Sequence, residues 1–311
     1  MLIHFHYDII QFFIGIDMTK TKLYEYRADI LLLTVAIAWG ITFLMVQDAI
    51  DTTPVYAFLF YRFSLASIIM FFISYKYLKN INKQTILYGV VLGTFLFSGF
   101  ATQTFGLAYT KSSIVAFITG LNVICVPFLA YIIFKDKVRK NVLVASIIAV
   151  FGLYLLTMSG ALSIGKGELL TLFCAIFFAL QIIFTGKYSK EVDVFSLVLI
   201  QLITVSIYSL IFSLIFDDRT FSIDFNYTFY KAVIVTAIFA TVYAFLIQTY
   251  MQQFTTATKT AVIFTMEPVS AAIYGYFVGN EILTSIQLFG AVLIIFATLV
   301  AELDFSKIKK G

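Results

Sequence analysis

Residues 194–216 read VFSLVLIQLITVSIYSLIFSLIF, with Asp193 in front, Asp217 behind and no charged residue between. A helix needs roughly 20 apolar residues to cross the hydrocarbon layer of a bilayer, and this stretch has them. Comparable runs lie near 30–48, 55–75, 85–107, 112–134, 142–159 and 168–187 before it. Three more follow near 229–251, 260–279 and 285–302. The breaks are short and polar: Asp48 to Pro54, Lys76 to Lys83, Lys135 to Asn141, Lys187 to Asp193, Asp217 to Asn226. None has room for a soluble domain. The pattern predicts an all-α integral membrane protein with ten transmembrane helices.

Composition points the same way. Of 311 residues 61% are hydrophobic and 12% charged, and mean hydropathy is +0.98. A soluble domain carries about 25% charged residues to solvate its surface; this chain has too few. The net charge of +4 is not gathered into the basic face that nucleic-acid binding requires. Cys125 and Cys174 each lie inside an apolar run and read as small buried residues, implying neither disulfide nor metal site. His4 and His6 have no further His or Cys nearby, so a surface pair is expected rather than a metal centre. No cofactor is expected.

Lys and Arg set the orientation, because they collect on the cytoplasmic side. With the N-terminus inside, Lys76, Lys79, Lys83, Lys135, Lys137, Arg139, Lys140, Lys187, Lys190 and Lys259 all fall inside, as do Lys307, Lys309 and Lys310. Only Lys111, Lys166, Arg219 and Lys231 fall outside. Both termini are therefore expected in the cytoplasm. Residues 1–17 lack the basic start of a signal peptide, and their apolar run is too short to span. Met18-Thr-Lys-Thr-Lys is the more natural beginning; otherwise residues 1–27 form a cytoplasmic extension.

The chain also repeats itself. At an offset of 145, Gln103-Thr104-Phe105 answers Gln248-Thr249-Tyr250, Thr110 answers Thr255, and Ala116 answers Ala261. Ile118 with Ile263, Tyr131 with Tyr276, and Asp136 with Glu281 continue the series. An offset of 139 sets Trp39-Gly40 against Phe178-Ala179 and Arg62 against Gln201. Two units result, 28–159 and 166–304, each with five spans. An odd number of spans turns the second copy upside down, and inverted repeats are a transporter signature.

Ala38-Trp39-Gly40-Ile41-Thr42-Phe43, Tyr61-Arg62-Phe63, Gln103-Thr104-Phe105-Gly106-Leu107 and Ala116-Phe117-Ile118-Thr119-Gly120-Leu121-Asn122-Val123 follow one another in the first unit. The second has Phe264-Thr265-Met266-Glu267-Pro268-Val269 and Gly279-Asn280-Glu281. In this order the motifs resemble the EamA family of the drug/metabolite transporter superfamily, from about Ala28 to Asp304. The resemblance implies two inverted five-helix repeats, a central cavity, and export or uptake of small metabolites without ATP. A bacterial inner membrane and export of amino acids or related compounds by alternating access are the expectation, with other zwitterions and amphipathic compounds open as well. Val123 stands where the second unit has Pro268, and Pro127 comes four residues later. The two kinks are therefore expected at different depths.

Two charges lie within spans. Arg62 reads either as an anion contact or as a clamp on carbonyls or an acid, since a charge inside a membrane must face protein or water. Glu267 stands beside Pro268, whose missing N–H loosens the helix at Phe264. It reads as a binding point, as the seat of a coupling proton, or as a tie to a neighbouring helix. Trp39, Thr42, Gln103, Thr119, Asn122, Gln181, Tyr243, Gln248 and Gln252 are candidates for the cavity wall with Glu267; some only tie helices together. Gly89 with Gly93, and Gly275 with Gly279, predict close helix contacts. Thr284 to Gln287 fits a capping box. Gly160 to Gly167 nearly spells a phosphate loop but ends in Gly where Ser or Thr must hold magnesium.

A membrane-embedded enzyme needs a nucleophile with its base at membrane depth, and no histidine lies inside a span. A structural or signalling subunit stays open, but polar faces in an inverted repeat argue for a cavity. A secondary transporter of small molecules, seated in the lipid bilayer, is the expectation.

Overall fold

The structure, a computed structural model, describes residues 21–135, 140–157 and 165–302. Met18, His4, His6, Lys137, Arg139, the lysines after 302 and residues 160–164 lie outside the described residues. Helix α1 runs Thr21–Ile50, α2 Val55–Ser74 with a 3-10 turn Tyr75–Asn80, α3 Lys83–Leu107, α4 Ser112–Thr119, α5 Asn122–Phe134 and α6 Lys140–Thr157. Then come α7 Lys166–Tyr188, α8 Val194–Phe216, α9 Tyr227–Ala237, a π-helical turn Ile238–Tyr243 and α10 Ala244–Met251. Finally α11 covers Ala257–Ile263, α12 Met266–Gly279 and α13 Ser285–Glu302. No strand occurs among the described residues.

Eight apolar segments are long enough to cross a membrane. Two shorter ones, Leu143–Leu156 in α6 and Ser285–Ala297 in α13, stand where the fifth and tenth runs were expected. The outside of the molecule is apolar: Phe72, Ile147 and Phe277 are 72%, 73% and 77% exposed. Hydrocarbon tolerates such a surface and water does not. This is a membrane protein with an all-helical fold.

Side chains fix the helix starts. Asn82, Asp193, Asn226 and Thr256 each accept from a backbone N–H one turn on, opening α3, α8, α9 and α11. These bonds occupy donors that a helix start otherwise leaves without partners. The capping box is present: Thr284 N–H donates to Gln287 Oε1 at 3.0 Å and Gln287 N–H to Thr284 Oγ1 at 3.3 Å. Glu281 caps from a distance, accepting from the backbone N–H of Ser112 and Ser113, both at 3.1 Å, and from both hydroxyls.

The 145-residue offset recurs in the backbone. Lys135 ends α5 and Asn280 ends α12 in the left-handed conformation, at φ 63° and 52°. Helices α6 and α13 begin and end at positions that the same offset relates. The interruptions match as well: Gly120 and Leu121 part α4 from α5, and Phe264 and Thr265 part α11 from α12. This overturns the expectation of kinks at different depths. The second break lies where Pro268, in the first turn of α12, has no N–H to offer the Phe264 carbonyl, whereas the first forms without such help, since Pro127 lies further on inside α5. Tight i to i+3 bonds make both junctions, Leu121 N–H to Ile118 O at 3.1 Å and Thr265 N–H to Val262 O at 3.0 Å.

Small residues set the close crossings. A Cβ on Gly89 would meet Ile200 and one on Gly93 would meet Thr204, so α3 lies directly on α8. Gly152 and Gly290 let α6 and α13 touch backbone to backbone. Gly279 faces Leu44 of α1, whereas Gly275 makes room for the Glu281 carboxylate instead of for another helix. Its expected helix contact is not found, because the chain folds back through Glu281 to cap α4.

Candidate functional site

The two helix junctions meet at the centre. A Cβ on Gly120 would stand 3.2 Å from the Pro268 ring, so the first break packs against the second. Asn122 opens α5 and Glu267 lies in the first turn of α12, each just past its junction. A carboxylate is favoured at that end of a helix, where the backbone dipole is positive.

Beside the junctions lies a small, partly open cavity. Eight of the residues singled out from sequence line it: Trp39, Thr42, Arg62, Gln103, Asn122, Gln181, Gln248 and Glu267. Three do not. Thr119 stands behind Gln103, which donates to it at 3.3 Å. Gln252 accepts from Gln248 and donates to Ile182 O at 3.1 Å. The Tyr243 hydroxyl pairs with Thr34 Oγ1 at 2.7 Å. These three act as helix ties.

The apolar wall was largely missed: Phe43, Val46, Leu107, Phe100, Phe178, Ile182, Phe245 and Phe264. With 35 phenylalanines in the chain, a single Phe carries no signal. The repeat was the usable one, since Phe178 answers Trp39. The rings form a connected set. Trp39 lies 4.9 Å from Phe264 and 5.5 Å from Phe245, and Phe100 lies 5.2 Å from Phe178.

Arg62 is 3% exposed. Its Nε donates to Thr241 Oγ1 at 2.9 Å and its Nη2 to Ala240 O at 3.3 Å. Its guanidinium also lies 4.5 Å above the Phe100 ring. Both acceptors belong to the π-helical turn, whose longer repeat frees carbonyls from the usual ladder. The clamp reading of Arg62 is thus found, on a carbonyl and a hydroxyl and, among the described residues, without an acid. Glu267 is 5% exposed, and among the described residues its carboxylate has no hydrogen-bond or ion-pair partner. It is not the helix tie that sequence allowed.

A polar ladder runs from α7 to α10. Gln248 Nε2 donates to Gln181 Oε1 at 3.0 Å and to Gln252 Oε1 at 3.3 Å, and Gln181 Nε2 donates to Thr185 Oγ1 at 3.0 Å. The pattern fixes which end of each amide is oxygen. It leaves Gln248 Oε1 without a partner, as is Asn122 Oδ1.

Known proteins are similar to this chain in sequence or in fold. A transporter of Archaeoglobus fulgidus, described as uncharacterized, is 34% identical over 276 residues, covering 89% of this chain and 86% of its own. The uncharacterized transporter YyaM of Bacillus subtilis is 28% identical over 285 residues, covering 88% of this chain and 92% of its own. A protein known from a crystal structure superposes with a TM-score of 0.69 at 12% identity, covering 89% of this chain and 96% of that one. That likeness concerns the fold alone. The sequence model of the EamA-like transporter family matches twice, over residues 26–158 and 165–302. Nearly the whole chain is thereby accounted for, and the protein belongs to the EamA-like transporter family.

Proposed function

We propose that the protein is a secondary transporter that exports amino acids or related small compounds by alternating access, without ATP. In this reading ten helices cross the membrane as two inverted five-helix repeats, with both termini in the cytoplasm. The observation that carries it is the pairing within the cavity wall. Trp39 with Phe178 and Thr42 with Gln181 are related by 139 residues. Phe100 with Phe245, Gln103 with Gln248 and Asn122 with Glu267 are related by 145. Residues from equivalent positions of two repeats meet around one site, the arrangement in which two halves can rock about a fixed ligand.

The pairing fails at four points, Val46, Leu107, Arg62 and Phe264, and the first two of these support a direction. Val46 and Leu107 line the cavity, whereas their counterparts Thr185 and Gln252 are buried at 0% exposure. The cavity therefore extends toward the C-terminal ends of α1 and α3. At the other end the glutamine ladder closes it, with Lys259 and Asp29 paired at 2.8 Å beyond. We read this as a state reached from outside. A coupling proton, where one is used, has Glu267 as its seat.

Proteoliposomes holding the purified chain, loaded with a mixture of amino acids and amines, test the proposal. Solute-specific efflux above that of empty vesicles is expected. Its absence across the mixture, with the protein folded and inserted, would favour a structural or signalling subunit.

A further inference from the structure

The hydrogen bonds around the cavity are nearly complete, and the exceptions form a pattern. Trp39 donates its indole N–H to Ala240 O, the Thr42 hydroxyl donates to Trp39 O, and both N–H groups of the Gln248 amide are engaged. Among the described residues no hydrogen bond or ion pair reaches the Glu267 carboxylate, either end of the Asn122 amide, Gln248 Oε1, Gln103 Oε1 or Nη1 of Arg62. Glu267 and Arg62, opposite in charge when both are ionised, line the same cavity and do not pair with each other. An unpaired charge in a low-dielectric site is costly. Two of them, held apart in one cavity, are complementary to a ligand with both charges.

We propose that the cavity is a zwitterion site with fixed polarity. The ligand's ammonium group is held by the Glu267 carboxylate, with Asn122 Oδ1 and Gln248 Oε1 as further acceptors. Its carboxylate meets Nη1 of Arg62. Its apolar side chain lies against Phe100 and Phe245. A primary ammonium offers three N–H donors, and its charge-assisted bonds to a carboxylate are the strong ones. Arg62 already stands rigid on Thr241 and Ala240, so it can present the third nitrogen without further ordering. This inference rests on the cavity's being the transport site proposed above.

Trp39 is the single tryptophan of the chain and lines the cavity, so its fluorescence reports occupancy. The test titrates the full chain in lipid nanodiscs with L-leucine, with 3-methylbutylamine, which lacks the carboxylate, and with 4-methylpentanoate, which lacks the ammonium. The L-phenylalanine, phenethylamine and 3-phenylpropionate series is run alongside. Each zwitterion should half-saturate at a concentration at least about tenfold below either single-charge analogue. Glu267→Gln should weaken the zwitterion and the amine by about tenfold and leave the acid unchanged. Arg62→Lys should weaken the zwitterion and the acid and leave the amine unchanged.

Amine or acid binding as tightly as the zwitterion would overturn the proposal, as would Glu267→Gln weakening all three ligands alike. Zwitterion binding without flux in proteoliposomes would sustain this site and refute the transport reading. Flux of an uncharged or singly charged solute, with no response to either zwitterion, would do the reverse.

Discussion

Trp39 and Arg62 donate to the same atom, the carbonyl oxygen of Ala240, at 2.8 and 3.3 Å. One residue comes from α1 and the other from α2, so a single π-helical turn ties three elements together beside the cavity. A carbonyl with two lone pairs can take both donors. The turn thus serves as an anchor, and the rigidity of the cavity wall follows from it.

Arg62→Ala should therefore destabilise the folded protein. Thr241 loses its donor and Phe100 its cation, while Ala240 keeps the indole. Hydrogen bonds to charged groups contribute about 1.5–3 kcal/mol each, so an effect of that order is expected, read as a lower melting temperature in detergent. Unchanged melting would show that Arg62 serves the ligand alone.

Gly40→Ala should disturb the site without touching the ligand. A methyl there overlaps Ser270 Oγ and the Glu267 carbonyl, and stands 2.8 Å from Ala271 N. Helix α12 must move, carrying Glu267 with it. Overpacking of this kind costs roughly 1–3 kcal/mol. Transport activity should fall more steeply than expression, in contrast to Gly186→Ala, where the nearest atom stands 3.8 Å away.

Glu267→Gln keeps shape and removes titration. Accumulation driven by a pH gradient should be abolished in proteoliposomes, and because the same carboxylate is proposed to hold the substrate, downhill exchange should weaken as well. Retained gradient-driven accumulation would remove Glu267 from the mechanism.

Single cysteines test the topology. Lys79→Cys and Lys190→Cys, both exposed, should resist an impermeant thiol reagent in intact cells. Asp51→Cys, Arg219→Cys and Thr284→Cys, also exposed, should react. Labelling of Lys190→Cys from outside would contradict the inverted arrangement.

Where the helices lie was legible because the bilayer imposes a length and an apolarity on every crossing. The runs at 30–48 and 194–216 need no partner to be recognised. Polar positions inside them were legible for the same reason: Asn122, Gln103 and Glu267 stand out against an apolar background. Of the breaks, one was: Pro268 marks the opening at Phe264–Thr265, but nothing local marks the one at Gly120–Leu121, where the two junctions press against each other.

The sequence by itself determined the helix runs, the duplicated pattern, the capping of α13 at Thr284 and the family, because each depends on local pattern or on its repetition along the chain. Only the tertiary structure decided which polar residues face the cavity and which tie helices. Thr119 and Asn122 share a helical face in sequence, yet the break between them sends Asn122 to the cavity and Thr119 behind Gln103. It also decided that Arg62 grips Ala240 and Thr241 while Glu267 stands unpaired. Such choices depend on contacts between residues far apart in the chain, like those of Arg62 with Thr241, and no local spacing encodes them.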